Sequence, residues 1–171
     1  MEIERAIRQY HAAIYKYCYH MLRHEQEAED AAQEVFLRAW KAAGRSDDIQ
    51  AIRPWLYKVA HNHCVNVIRR RRLLRFLPYR AVDGRLDAAR AAETEWSEAI
   101  EVALDALSPT DRSILLLRVL EERPYEEIGS MIDMRSESVR KRFERARKKL
   151  QASFSREKEG TAGESESISY V

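Results

Sequence analysis

An all-α protein of two small helical domains joined by a linker is what this 171-residue sequence predicts, and three observations predict it. Apolar residues recur at three- and four-residue intervals along most of the chain, the mark of amphipathic helices. Charged residues make up 34% and hydrophobic ones 45%, with only five glycines, a composition suited to helices with real cores. The periodicity then breaks over Pro78 to about Ala92, PYRAVDGRLDAARAA. The division that follows is a first domain over 1–77, a linker over 78–95, a second domain over 96–153, and a disordered tail over 154–171, where the sequence turns small, polar and acidic. Two domains on such a linker are expected to move independently when unbound.

The first helix, about twenty residues long, is marked by Ile3, Ile7, Tyr10, Ile14, Tyr17, Cys18 and Met21, and Arg23 to Gln26 is the expected turn. The second runs from Glu27 to about Ala43, with Ala32, Val35, Phe36, Ala39 and Trp40 as its inward stripe. Its beginning is acidic: Glu25 to Glu34 holds five carboxylates and no cation. One or two of these would satisfy the helix dipole, so the run also suggests a partner surface. Gly44 to Gln50 is a polar loop, and Pro54 fits the first turn of the third helix. That helix ends in Arg69, Arg70, Arg71 and Arg72, which point around most of its circumference and exceed what a helix C-terminus needs. Arg53 to Arg80 contains eight cations and no acid, with Trp55, Tyr57 and Tyr79 among them, a pattern suited to single-stranded nucleic acid.

A helix from about Glu93 to Leu107 follows, and Ser108-Pro109-Thr110-Asp111 is a strong start signal for the next one. Tyr125 to Leu150 then reads as a short helix, a turn at Asp133-Met134-Arg135, and a longer helix. Val139, Phe143, Ala146 and Leu150 form the inner stripe of that longer helix, while Glu137, Lys141, Glu144 and Lys148 lie opposite, flanked by Arg140 and Arg145. With nine Lys/Arg against five Asp/Glu from Arg123 to Leu150, this is a helix-turn-helix built for a DNA major groove.

Several classes are excluded or disfavoured. No stretch approaches the ~20 apolar residues that cross a bilayer, and the N-terminus lacks a signal-peptide core, so a cytoplasmic protein is expected. Cys18 and Cys64 read as buried thiols rather than a disulfide. His20 and His24, or His61-Asn62-His63-Cys64, lack a convergent third ligand, so no metal or other cofactor is expected. Without a phosphate loop or nucleophile elbow, an enzyme is disfavoured. A free-standing dimeric regulator would leave the acidic run and the basic third helix unexplained.

Three motifs, EAEDAAQEVFLRAW, RPWLYKVAHNHCVNVIRRRR and LSPTDRSILLLRVLEERPYEEIGSMIDMRSESVRKRFERARKKL, occur in this order and at these separations. Together they resemble the extracytoplasmic-function (ECF) sigma factors of the sigma-70 family. The resemblance implies a promoter-specificity subunit of bacterial RNA polymerase, with no enzymatic activity of its own. It implies that Asp30, Gln33, Glu34, Arg38 and Trp40 meet the β′ clamp helices of the polymerase core. It implies that Arg53, Asn62, Asn66, Arg69 and Arg70 recognise and open a −10 promoter element, helped by the loop Gly44 to Ile52. Ser136, Ser138, Arg140, Lys141, Glu144 and Arg145 would read a −35 element. The β flap, promoter DNA and an anti-sigma factor are further implied partners, without membrane insertion. Asn66 stands where the family often has Asp, Pro124 where a Ser cap is common, Asp133 where Gly is frequent, and Arg135 replaces a small residue, leaving Ser136 as the expected cap.

Overall fold

The computed structural model describes residues 2–42, 49–74, 76 and 98–164. Among them the chain forms α1 (Glu2–Leu22), α2 (Glu25–Ala42), α3 (Ile49–Leu74), α4 (Glu98–Asp105), α5 (Pro109–Val119), α6 (Tyr125–Ile132) and α7 (Ser136–Glu164). The expected Pro78–Ala92 linker lies outside the described residues.

Local sequence explains most boundaries. Arg23 takes a left-handed φ of 53° and ends α1, and its N–H reaches the Tyr19 carbonyl. His24 then caps α2: its Nδ1 accepts the Glu27 N–H at 3.3 Å and its carbonyl accepts the Ala28 N–H at 2.9 Å. The turn is therefore two residues, and α2 begins at Glu25 rather than Glu27. Ser108 accepts the Asp111 N–H at 3.1 Å ahead of Pro109, as its sequence signal requires. Asp133 closes α6 at φ 55°, ψ 50°, a conformation its short polar side chain tolerates.

Three expectations are corrected. Pro54 sits inside α3, which starts at Ile49, so the helix forgoes one rung near its start. The Arg135 carbonyl accepts the Val139 N–H at 3.0 Å, which makes Arg135 the capping position and puts Ser136 in the first turn of α7. Finally, α7 continues to Glu164, past Leu150 where the inner stripe stops, and into the 154–171 stretch where a tail was expected.

The two halves do not stand apart. Buried residues of α1–α3 (Ile14, Tyr17, Leu56, Ile68) and of α4–α7 (Leu104, Leu116, Ile128, Val139) belong to one continuous core. In this arrangement the two domains pack against each other rather than standing apart. Polar groups are sealed into the seam as well. Ser113, fully buried on α5, bonds the Tyr17 hydroxyl at 2.7 Å and His61 Nδ1 at 2.8 Å. Arg112 beside it donates to the Met21 carbonyl at 2.7 Å, the Leu104 carbonyl at 3.1 Å and Asp105 at 2.8 Å. Buried polar groups are costly unless paired, and here each half supplies the other's partners. At the rim Arg53 meets Glu121 at 3.3 Å in a partly buried pair, and Lys58 meets Asp133 at 2.7 Å in an exposed one worth at most about 1 kcal/mol.

Candidate nucleic-acid interface

α3 is buried around an unusually wide arc because α1, α2, α5 and α6 all pack on it. Leu56, Tyr57, Ala60, His61, Cys64, Val65 and Ile68 are buried. Asn62, Asn66, Arg69 and Arg70 are exposed, and their offsets of four, seven and eight place them on one face. The structure thus brings together four of the five residues expected to contact single-stranded DNA. Arg53 does not join them: nine residues before Asn62, it lies about 180° away around the helix and pairs with Glu121. The base-capture loop falls outside the described residues at 43–48, while 49–52 are helical.

The arginine run also divides. Arg71 donates to the Leu22 carbonyl at 2.9 Å and pairs with Glu27, tying α3 to the α1–α2 turn. Arg72 reaches the Leu107 carbonyl at 3.4 Å. Arg69 and Arg70 are exposed on the face they share with Asn62 and Asn66. The histidines serve the fold: His24 caps α2, and burial with Arg69 nearby lowers the His61 pKa from 6.5 to about 4, so this ring stays neutral. Among the described residues no three His, Cys, Asp or Glu side chains gather as metal ligands. Cys18 and Cys64 are buried free thiols, and Cys64 is held well above the usual thiol range by its hydrogen bond with Cys18 and by burial.

The helix-turn-helix depends on Gly129. A Cβ there would collide with the Met134 carbonyl oxygen, where the turn folds back across α6 and the Met134 N–H meets the Gly129 carbonyl at 2.9 Å. No helical periodicity or charge pattern marks this glycine. Val139 and Ala146 of α7 are buried and Phe143 and Leu150 pack against the core, so the inner stripe lies where periodicity puts it. Ser138, Arg140, Lys141 and Arg145 are exposed, with Ser136 and Glu144 half-buried. Lys141 pairs with Glu137 at 2.9 Å, Arg147 with Glu144 at 2.9 Å, and Arg142 with Asp111 at 2.8 Å. On one flank, Arg118, Val119, Glu122, Tyr125, Phe143, Glu144 and Arg147 line an open groove of about 630 Å³.

A second surface lies on α2. Asp30, Gln33, Arg38 and Trp40 are exposed and Glu34 is half-buried, its carboxyl held below the usual range by the hydrogen bond from Arg38 Nε at 2.6 Å. Trp40 was expected to point inward and instead is 55% exposed, because α1 and α3 cover only the arc through Ala28, Ala32, Val35 and Ala39. Leu37, 49% exposed, joins it, so the acidic face has an apolar centre. Nothing in the local pattern separates an outward Leu or Trp from a core one.

Residues 6–73 match the family model of Sigma-70 region 2, and residues 97–150 that of Sigma-70, region 4. The chain belongs to the sigma-70 family. Within it several relatives are named ECF sigma factors. The chain is 28% identical over 163 residues to the RNA polymerase sigma factor YlaC of Bacillus subtilis (strain 168), covering 92% of this chain and 94% of that protein. It is 29% identical over 154 residues to the ECF RNA polymerase sigma factor SigW of the same organism, covering 82% of each. Among solved structures, the sigma factor RpoE in complex with the anti-sigma factor NepR from Bartonella quintana superposes with a TM-score of 0.69, at 20% identity, over 89% of this chain and 96% of that one. CnrH in complex with the cytosolic domain of CnrY gives a TM-score of 0.64 at 24% identity, over 88% and 85%. The protein is an ECF sigma subunit of RNA polymerase, a promoter-specificity subunit and not an enzyme.

Proposed function

We propose that this sigma subunit divides its work among three faces. The α2 face of Asp30, Gln33, Glu34, Leu37, Arg38 and Trp40 docks on the β′ clamp helices of the core polymerase. The α3 stripe of Asn62, Asn66, Arg69 and Arg70 captures the opened −10 strand, the amides bonding base edges and the arginines the phosphates. Unstacking a base costs a few kcal/mol and is repaid by those hydrogen bonds and that charge. Ser136, Ser138, Arg140, Lys141, Glu144 and Arg145 of α7 read the −35 element in the major groove. The observation that carries this reading is the α3 stripe: two amides and two arginines aligned on a solvent-facing strip of a helix on which α1, α2, α5 and α6 all pack.

A protein of the anti-sigma class is the regulator this reading calls for, covering the same polymerase-binding face. No helix among the described residues is long and apolar enough to cross a membrane, which accords with a cytoplasmic site of action.

Reconstituted transcription tests the proposal. Core polymerase and the full chain, given a random-promoter library, should initiate from selected promoters. Asn62→Ala or an Arg69/Arg70 double alanine should abolish initiation while core binding persists, and Trp40→Ala should remove core binding. A chain that binds duplex DNA through Lys141 and Arg145 but neither binds core nor directs initiation would sink the proposal in favour of a free-standing regulator.

A further inference from the structure

Arg140 is the one residue of the −35 set with an aromatic partner. Its guanidinium carbon lies 5.5 Å from the centre of the Tyr125 ring, and that of Arg118 lies 5.0 Å from the same ring. Tyr125 is itself braced on Phe143, with ring centres 5.9 Å apart. Helical spacing offers Arg140 two carboxylates on its own helix, Glu137 and Glu144. Both are committed elsewhere, to Lys141 and Arg147. Arg118 uses one N–H on the Arg123 carbonyl at 3.0 Å.

We propose that Tyr125 is a positioning residue for promoter recognition, holding Arg140, with Arg118 beside it, against a phosphate of the duplex flanking the −35 element. This rests on the assignment of α7 as the −35 reader.

The argument is one of geometry and charge. A guanidinium stacked on a ring spends its face, while its N–H donors lie in the plane and stay available for two phosphate oxygens. The ring also removes rotamer freedom before DNA arrives, so less entropy is lost on binding. Two cations sharing one ring repel each other, and an anion close to both relieves that repulsion. A base reader would need sequence-dependent partners, whereas a cation pair on a ring takes any phosphate. The contact should therefore add affinity and register without base preference.

The test uses holoenzyme reconstituted from the full chain, bound to duplex promoter DNA selected by it, with affinity measured across a salt series. Arg140→Ala should weaken binding several-fold and lower the salt slope by about 1, the signature of one lost phosphate contact. Tyr125→Leu should lower the slope nearly as much, Tyr125→Phe should retain it, and Tyr125→Leu with Arg140→Ala together should be no worse than Arg140→Ala alone. A Tyr125→Leu slope equal to wild type, beside a lowered Arg140→Ala slope, overturns the positioning role and leaves Arg140 as a reader. Unchanged binding in Arg140→Ala overturns both for that residue, while losses in Lys141→Ala and Arg145→Ala would keep α7 as the reading helix. Should Tyr125→Leu not fold, the side-chain NMR signals of Arg140 in the wild-type chain decide. A ring-current shift supports the stack and its absence overturns it.

Discussion

His61 on α3 and Ser113 on α5, 52 residues apart, meet at 2.8 Å in a site closed to solvent, and the Tyr17 hydroxyl of α1 completes the set at 2.7 Å from the same Ser113 oxygen. The halves of this sigma subunit are thus joined by a buried polar contact as well as by apolar packing.

Removing the hydroxyl leaves two buried groups short of a partner at once. Ser113→Ala should lower unfolding free energy by about 2 kcal/mol, since an orphaned buried polar group costs ~1–3 kcal/mol. Urea unfolding of the full chain reads this directly. A change within experimental error would mean that Tyr17 and His61 find other partners.

The same site makes stability depend on pH. His61 has its pKa lowered from 6.5 to about 4 by burial and by Arg69, with Asp133 opposing, so the unfolded chain takes up a proton that the folded one refuses. The stabilisation is complete above about pH 6.5 and fades as pH falls towards 4, with a total on the order of 3 kcal/mol. His61→Leu should flatten this part of the pH–stability curve. A curve equally steep in the variant would place the dependence on another group, His63 first, because burial lowers its pKa as well.

Gly129 sits where any side chain meets the Met134 carbonyl. Gly129→Leu should cost at least about 2 kcal/mol and misplace α7 relative to α6, with loss of −35 binding. Thermal melting and duplex binding would be measured together. Wild-type behaviour in both would show that the turn can open without penalty.

Three arginines of the run, Arg69, Arg70 and Arg71, should separate into two phenotypes. Arg71→Ala, losing the Leu22 carbonyl and Glu27, should destabilise the fold by about 1–3 kcal/mol. Arg69→Ala and Arg70→Ala should leave stability within about 0.5 kcal/mol and reduce promoter opening. Comparing melting with permanganate footprinting of the −10 region checks the split, and equal melting losses at all three positions would contradict it.

What the sequence by itself determined is whatever depends on neighbours a few residues away. Helix periods, the Ser108 cap, the Asp133 turn, the inner stripe of α7 and the alignment of Asn62, Asn66, Arg69 and Arg70 all follow from 3.6-residue geometry and local hydrogen bonding. The tertiary structure alone decided which side of each helix is enclosed and by what. Trp40 faces out because its neighbours cover another arc, Arg53 and Arg71 serve the fold because carboxylates and carbonyls from distant segments reach them, and the small polar Ser113 is core because Tyr17, 96 residues earlier, and His61 arrive to bond it. Contacts across such distances carry no period, so no local pattern announces them.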